Sequence, residues 1–279
     1  MAPIALSHEP MSADFPYPIQ RSAFPHNGLA HVVHGKGAPL VLIHGSLCDM
    51  RYWKAQIPAL SRDFQVFSVS LRGYWPDDAI ASPQGFSAQA HADDIAAFID
   101  AHCGGRAHVA GHSRGGNVAF QVARRHPEKV AALVLADPGL MVNDGEDRRG
   151  DFRHKALRAI QSGDLEAGLA LFIDTVSGED TWRRMVPWFK QMVMDNAHTL
   201  AAQVAEPAYR LTENDARAVA HPVLLIGGAL SPAPYPAILD ALHAWLPNAQ
   251  QLRIAGSSHG MNLGNPRAFN EAVRRFLGG

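Results

Sequence analysis

At 279 residues, with 47% apolar and 18% charged side chains, the chain has an ordinary globular composition and room for one large core or two modest ones, which excludes a disordered polypeptide. Lys and Arg number 25 against 26 Asp and Glu, so no excess of charge recommends a nucleic acid or an anionic membrane as partner. Two cysteines, Cys48 and Cys103, are too few for a disulfide framework and lack the paired spacing of a zinc site, which suits a reducing compartment.

The opening segment, from Met1 to about Tyr17, carries no basic cluster followed by an apolar run and so does not read as a secretory signal. Its stretch Ser7-His8-Glu9-Pro10-Met11-Ser12 has neither helical nor strand period and is expected to form a loose arm. No run of about 18 apolar residues occurs anywhere, so a soluble, cytoplasmic protein is expected.

Short apolar runs then alternate with helical patterns, the signature of βαβ units and a mostly parallel sheet flanked by helices. Strands are expected at Pro39-Leu40-Val41-Leu42-Ile43, Gln65-Val66-Phe67-Ser68-Val69, Ala107-His108-Val109-Ala110 and Val130-Ala131-Ala132-Leu133-Val134-Leu135. The first and last are apolar at successive positions, as strands covered on both faces are. Between them, Ile95, Phe98 and Ile99 share one face of a helix over 88–102, and Val118, Ala119 and Val122 share one face of a helix after Ser113.

From about 139 to 220 the strand pattern disappears and only amphipathic helical stretches remain, with Trp182, Trp188, Phe189 and Tyr209 among them. The economical division is an α/β core over 1–138 and 221–279, interrupted by a helical cap over 139–220. Strands resume at Pro222-Val223-Leu224-Leu225-Ile226 and Gln251-Leu252-Arg253-Ile254. A last helix follows, with Asn265 as N-cap, Pro266 at its first position, Phe269, Val273, Phe276 and Leu277 at helical spacing, and Gly278 just past its end.

The chemistry centres on Gly111-His112-Ser113-Arg114-Gly115, a Gly-x-Ser-x-Gly pattern between a strand and a helix. A serine in that turn adopts a strained backbone, and its neighbours must be small to avoid the adjacent strand and helix. The helix also aims exposed N–H groups at the site, where a developing oxyanion can be stabilised. The bland alternative is a glycine-rich strand-to-helix turn holding an idle serine.

On these residues the chain resembles the α/β-hydrolase family, from about residue 28 to its C-terminus. The resemblance implies a cofactor-free serine hydrolase with Ser113 as nucleophile. It also implies an oxyanion hole formed by the N–H of Ser46, in His44-Gly45-Ser46, and the N–H of Arg114. Leu71-Arg72-Gly73-Tyr74 is similar to the family's loop after the next strand, but Trp75-Pro76 replaces its usual small residue and serine, which implies an unusual loop shape. The catalytic base implied is His259, in Gly256-Ser257-Ser258-His259-Gly260 after the last strand, while His44 and His112 are assigned to shaping the turn.

The acid departs from the common pattern. The family usually carries Asp just after the strand matching 222–226, where this chain has Ser231, and the only carboxylate between 222 and 258 is Asp240, well into the next helical pattern. Asp137, just after the strand 130–135, is the candidate that remains, as in branches that hold the acid at that neighbouring strand end. Its spacing from Ser113, with Arg114 after the nucleophile, resembles the haloacetate dehalogenase-like branch. Asp137-Pro138 also reads as a simple turn-forming pair, and both readings stand at this stage. Dehalogenases and epoxide hydrolases use Asp where this chain has Ser113, and a serine suits attack on an acyl carbonyl instead of an sp³ carbon.

The expected substrate is a small, fairly apolar carboxylic ester, bound in a pocket to which Trp182, Trp188 and Phe189 contribute, or around which they merely pack. Hydrolysis of a lactone or a carbon-carbon bond, or a ligand-binding protein that has lost turnover, are the alternatives. Arg114 either attracts a substrate carboxylate or points to solvent. No metal, organic cofactor, nucleic acid or membrane partner is implied, and oligomeric state is not readable.

Overall fold

A computed structural model describes residues 15–21, 28–80, 85–142 and 151–278. The stretch Ser7 to Ser12, expected to be a loose arm, lies outside them, but the chain just beyond is packed: Phe15 is buried and its ring meets Tyr17 edge-on at 5.2 Å.

The strands are β1 (Gln20–Arg21), β2 (Ala30–His34), β3 (Ala38–Ile43), β4 (Phe64–Val69), β5 (Ala107–His112), β6 (Val130–Ala136), β7 (Val223–Gly228) and β8 (Ala249–Ile254). They form one eight-stranded sheet in the order β1-β2-β4-β3-β5-β6-β7-β8, antiparallel at β1-β2 and β2-β4 and parallel from β4 to β8. All six expected strands are present. The two that sequence patterning did not find, β1 and β2, are the antiparallel ones, and β2 carries two histidines in five residues.

The helices are α1 (Ile57–Leu60), α2 (Ala88–His102), α3 (Arg114–Arg125), α4 (Phe152–Gln161), α5 (Leu165–Ser177), α6 (Thr181–Arg184), α7 (Pro187–Asp195), α8 (Thr199–Ala205), α9 (Glu213–Arg217), α10 (Tyr235–Trp245), α11 (Met261–Gly264) and α12 (Pro266–Gly278). Alternate residues of each parallel strand enter two different cores, because side chains along a strand point to opposite faces. Val41, Ile43, Val109, Leu133, Leu135, Val223 and Leu225 pack with residues of α2, α3 and α10. Leu40, Leu42, Ala110, Val134, Leu224 and Ile226 pack with Trp53, with Phe269 and Val273 of α12, and with α5 and α7. Continuous apolar runs are thus the mark of a sheet covered on both sides.

Asn265 Oδ1 accepts from the N–H of Ala268 at 3.2 Å, which is the cap expected for α12. Gly278 is the helix's last residue and not the first beyond it.

Helices α4 to α9 all lie between β6 and β7. The chain leaves and re-enters the sheet region at one place, where Met141 and Arg210 form a parallel bridge and the N–H of Leu211 donates to Met141 O at 2.8 Å. A second tie is ionic. Asp49, fully buried, caps a short 3-10 turn over Met50–Trp53 and accepts from Arg51 Nε at 2.9 Å, Arg51 Nη2 at 2.6 Å and Asn196 Nδ2 at 2.7 Å. Arg51 Nη2 also pairs with Asp195 at 2.8 Å, and its guanidinium lies 3.8 Å from the ring centroid of Trp75. Asn196 in turn accepts from the N–H of Trp75 at 2.8 Å. The Trp75-Pro76 substitution in the loop after β4 thereby has a structural role: the indole is a plate for Arg51, and the Trp75-Pro76 peptide is cis.

Removing one partner of a buried ion pair costs about 3 kcal/mol or more; without Asp49, Arg51 would keep Asp195, but Asn196 Nδ2 would lose its carboxylate and the 3-10 turn its cap. Asp49→Ala is therefore expected to lower the unfolding free energy by about 3 kcal/mol in urea denaturation. A loss under about 0.5 kcal/mol would show that this network does not hold the α7–α8 junction to the sheet.

Candidate active site

Ser113 sits between the end of β5 and the first residue of α3 with φ 52° and ψ −119°, a conformation that costs a non-glycine residue free energy and persists only where its surroundings fix it. The fixing is done by backbone. Its N–H donates to Ala136 O at 2.9 Å, and its carbonyl accepts from Gly116 N at 2.9 Å, Asn117 N at 3.2 Å and Gly139 N at 2.8 Å. Room for these contacts comes from missing side chains: a Cβ on Gly111 would fall on the Gly115 carbonyl, and one on Gly115 on the carbonyls of Ile43 and His44. The sequence expectation of a strained serine flanked by obligatory glycines is what the backbone shows.

The turn after β3 approaches as closely. A Cβ on Gly45 would stand 2.9 Å from His112 Nδ1 and 3.2 Å from Ser113 Cβ, so glycine lets Ser46 come beside the serine. His44 anchors this turn. Its Nδ1 donates to Gly45 O at 2.9 Å and its Nε2 accepts from the N–H of Leu71 at 3.0 Å, while burial holds its pKa down to about 3, so it is a neutral structural ring. Among the described residues, no hydrogen bond occupies the N–H of Ser46 or of Arg114.

His259 lies in the loop after β8, 3% exposed, its ring stacked on Tyr235 at 3.9 Å and 15° and tilted against His112 at 4.5 Å. His112 Nε2 donates to the His259 carbonyl at 2.8 Å, and burial holds the His112 pKa down to about 3. His112 is thus a neutral strut from the serine turn to the histidine loop. It stacks in turn on Tyr52, whose hydroxyl donates to Asn262 Oδ1 at 2.7 Å.

Asp137, fully buried at the end of β6, faces this histidine, with Oδ2 3.4 Å from His259 Nδ1. The contact is long, as such contacts often are without substrate. Its N–H donates to Ile226 O at 2.8 Å, and its own φ of 38° is again positive, so Ser113 and Asp137 are both held in strained backbone. Burial pushes the Asp137 carboxyl up to about 7, against the opposing pull of a hydrogen bond from Ser231, whose Oγ donates to Oδ2 at 2.5 Å. Ser231, at the position where the family usually carries its acid, is thus a hydrogen-bond partner of Asp137. A Cβ on Gly227 would come within 2.8 Å of Asp137 Oδ1, so the end of β7 is shaped around the carboxylate.

Ser46, Ser113, Arg114 and His259 open onto one cavity of about 1060 Å³. Its far wall comes from α5, α7 and the segment after α8, with Phe172, Val176, Val186, Trp188 and Phe189 among its apolar lining. Tyr209 lines it as well. Trp182 does not. It is buried between α5 and α7, with its indole N–H 3.3 Å from Glu166 and Lys190 4.9 Å over its ring, so it packs these helices together and does not meet the cavity. Arg114 points neither to solvent nor freely into the cavity: its guanidinium forms an ion pair with Glu206 and lies 5.0 Å from the Phe86 ring centroid. Glu206, Ser231 and Tyr235 carry no motif, and each becomes visible only through contacts distant in sequence. Among the described residues no group of three or more His, Cys, Asp or Glu side chains is placed to hold a metal ion, and no helix is long and apolar enough to cross a membrane.

A family model described as the alpha/beta hydrolase fold matches residues 38–266. The chain is 25% identical over 251 residues to the pimeloyl-[acyl-carrier protein] methyl ester esterase of Aeromonas hydrophila, covering 88% of this chain and 97% of that one. A hydrolase from Pseudomonas aeruginosa superimposes with a TM-score of 0.78 at 24% identity, covering 95% of this chain and 99% of the other. The carboxylesterase CesB of Bacillus subtilis does so with a TM-score of 0.78 at 19% identity, covering 96% and 94%. The two structural likenesses concern the fold.

An acid whose pKa rises from 3.8 to about 7 on folding binds its proton more tightly in the native state, so this group's contribution to stability falls as pH climbs between those values and is flat above. Asp137→Asn lacks that titration. The melting temperature of the variant relative to the parent is expected to rise by several degrees between pH 5 and pH 8; an offset independent of pH would show that the carboxyl is not shifted upward.

Proposed function

The chain belongs to the alpha/beta-hydrolase fold family and is a hydrolase, and from that premise we propose that it cleaves a carboxylic ester through an acyl-enzyme on Ser113. One observation carries the reading: the His259 loop, tied to the strained serine turn through His112 Nε2, presents its Nδ1 to a buried carboxylate, Asp137.

In this mechanism His259 Nε2 removes the proton from Ser113 Oγ as that oxygen bonds to the acyl carbon. The carbonyl oxygen becomes an oxyanion and accepts from the N–H groups of Ser46 and Arg114, to which no other hydrogen bond runs among the described residues. The imidazolium gives its proton to the departing alkoxide, and the C–O bond breaks. Water then attacks the acyl-enzyme with His259 again as base, releasing the acid and restoring Ser113. Asp137 keeps the proton of His259 on Nδ1 and stabilises the imidazolium without being protonated itself.

The helices over 139–220 act as a cap on the core formed by 1–138 and 221–279, and Trp188 and Phe189 form part of the substrate wall. Ligand pockets commonly span ~300–1,000 Å³. At about 1060 Å³ this cavity exceeds what a small ester fills, so an ester with a longer apolar acyl or alcohol group fits the reading better than a short one. The acid position at Ser231, which alone suggested lost turnover, no longer favours a binding protein, because its hydroxyl supports an acid on the neighbouring strand.

The test is a panel of p-nitrophenyl esters of increasing acyl length. Ser113→Ala is expected to abolish both turnover and covalent labelling by a fluorophosphonate, and Asp137→Asn to lower kcat by about 10⁴-fold. Wild-type turnover in Asp137→Asn beside an inactive Ser113→Ala would sink the assignment of the acid. Faster opening of lactones than of any open-chain ester would move the substrate class.

A further inference from the structure

The segment joining β7 to α10, together with the first residue of α10, touches both partners of the acid-base pair. Ser231 donates to Asp137 Oδ2 at 2.5 Å, and Tyr235 stacks on the His259 ring at 3.9 Å. The segment is itself fixed: the N–H of Ser231 donates to Gly228 O at 3.1 Å, the N–H of Leu230 donates to Ser257 O at 2.9 Å, and a Cβ on Gly228 would collide with the carbonyls of Ser257 and Ser258. The histidine loop and the segment after β7 therefore lie backbone against backbone.

We infer that Ser231 is a positioning residue of the hydrolytic reaction, which locks the Asp137 carboxylate in the rotamer that presents Oδ2 to His259. The inference rests on Asp137 being the acid. Apart from Ser231 and His259, the carboxylate's other hydrogen-bonding neighbour is the Gly228 backbone; a carboxylate with few hydrogen bonds can swing about its terminal torsion, whose energy well is broad, and burial favours its neutral form. The Ser231 hydroxyl answers both needs. At 2.5 Å the contact has the length of an O–H donor on an ionised oxygen, and it falls on the oxygen that faces the imidazole. Ser231 is 9% exposed, so water does not readily replace it. A second carboxylate at this position would share the site with Asp137 and repel it, whereas a hydroxyl supports the charge without adding one. Ser231 touches no reacting atom, so its effect passes through Asp137 alone.

The experiment is a double-mutant cycle on kcat for a p-nitrophenyl ester, with KM and the pH profile recorded for each variant. Ser231→Ala is expected to lower kcat about 10- to 30-fold, with KM within about twofold, as loss of a hydrogen bond to a charged group implies. The acidic limb of its kcat profile moves to higher pH, because the ionised acid has lost a donor. Ser231→Thr, which keeps the hydroxyl, recovers most of the loss. In the Asp137→Asn background Ser231→Ala costs nothing further. Losses that multiply in the double variant, or wild-type kcat and pH profile in Ser231→Ala beside an impaired Asp137→Asn, overturn the inference and leave the acid assignment standing. Wild-type turnover in Asp137→Asn removes the acid assignment first. Should alanine prevent folding, Ser231→Cys keeps the shape with a weaker donor, and an unchanged kcat there is equally decisive against Ser231.

Discussion

Backbone meeting backbone around Ser113 is the constraint on which everything else here depends. Three strand ends converge on that residue, and at Gly111 and Gly115 there is no space for a side chain between them. A hydrogen bond donated to the Ala136 carbonyl on one side, and others accepted from Gly116 and Gly139 on the other, hold the serine at a positive φ that it would not adopt alone. The same closeness brings the Ser46 turn alongside and lets the His112 ring reach the His259 carbonyl. Parallel packing of β3, β5 and β6 is what makes the convergence happen at one end of the sheet.

Onto this rigid base the protein places a group that water would stabilise better. Asp137 is fully buried, and burial alone would favour its neutral form. Its neighbours oppose that: the Ser231 hydroxyl first, then the nearby His112 ring and the Gly228 backbone. The balance leaves the carboxyl with a pKa of about 7, well above that of an exposed aspartate. Arg114, the nearest strong cation to the serine turn, is withheld from this balance by its own pairing with Glu206.

What the sequence made legible were features whose cause is local or periodic. Val130 to Leu135 is apolar throughout because both faces of β6 are covered, and Asn265-Pro266 starts a helix through its own side chain and ring. The serine turn was readable because glycine is needed at fixed offsets from it. Features decided by distant contacts were not. Ala30–His34 is a strand because β4 accepts it, with His31 opposite Val69, although its own residues show no strand run. Trp182 and Trp188 are alike in sequence, and only the way α5 and α7 pack sends one to the cavity and the other away from it. Ser231 was read as a lost acid because its partner belongs to another strand 94 positions earlier.

The bridge between Met141 and Arg210 has a consequence for variation within this architecture. It brings the departing and returning segments of the insertion together, so the chain itself passes between the sheet and the intervening helices through one neck, apart from the contacts at Asp49 and Asn196. The closure cost of such a loop grows only slowly with its length. Helices can therefore be added, dropped or rearranged beyond the neck while Asp137, four residues before Met141, stays seated at its strand end. Under the proposed reading, the shape of the chamber and the bond-breaking machinery are free to diverge at different rates.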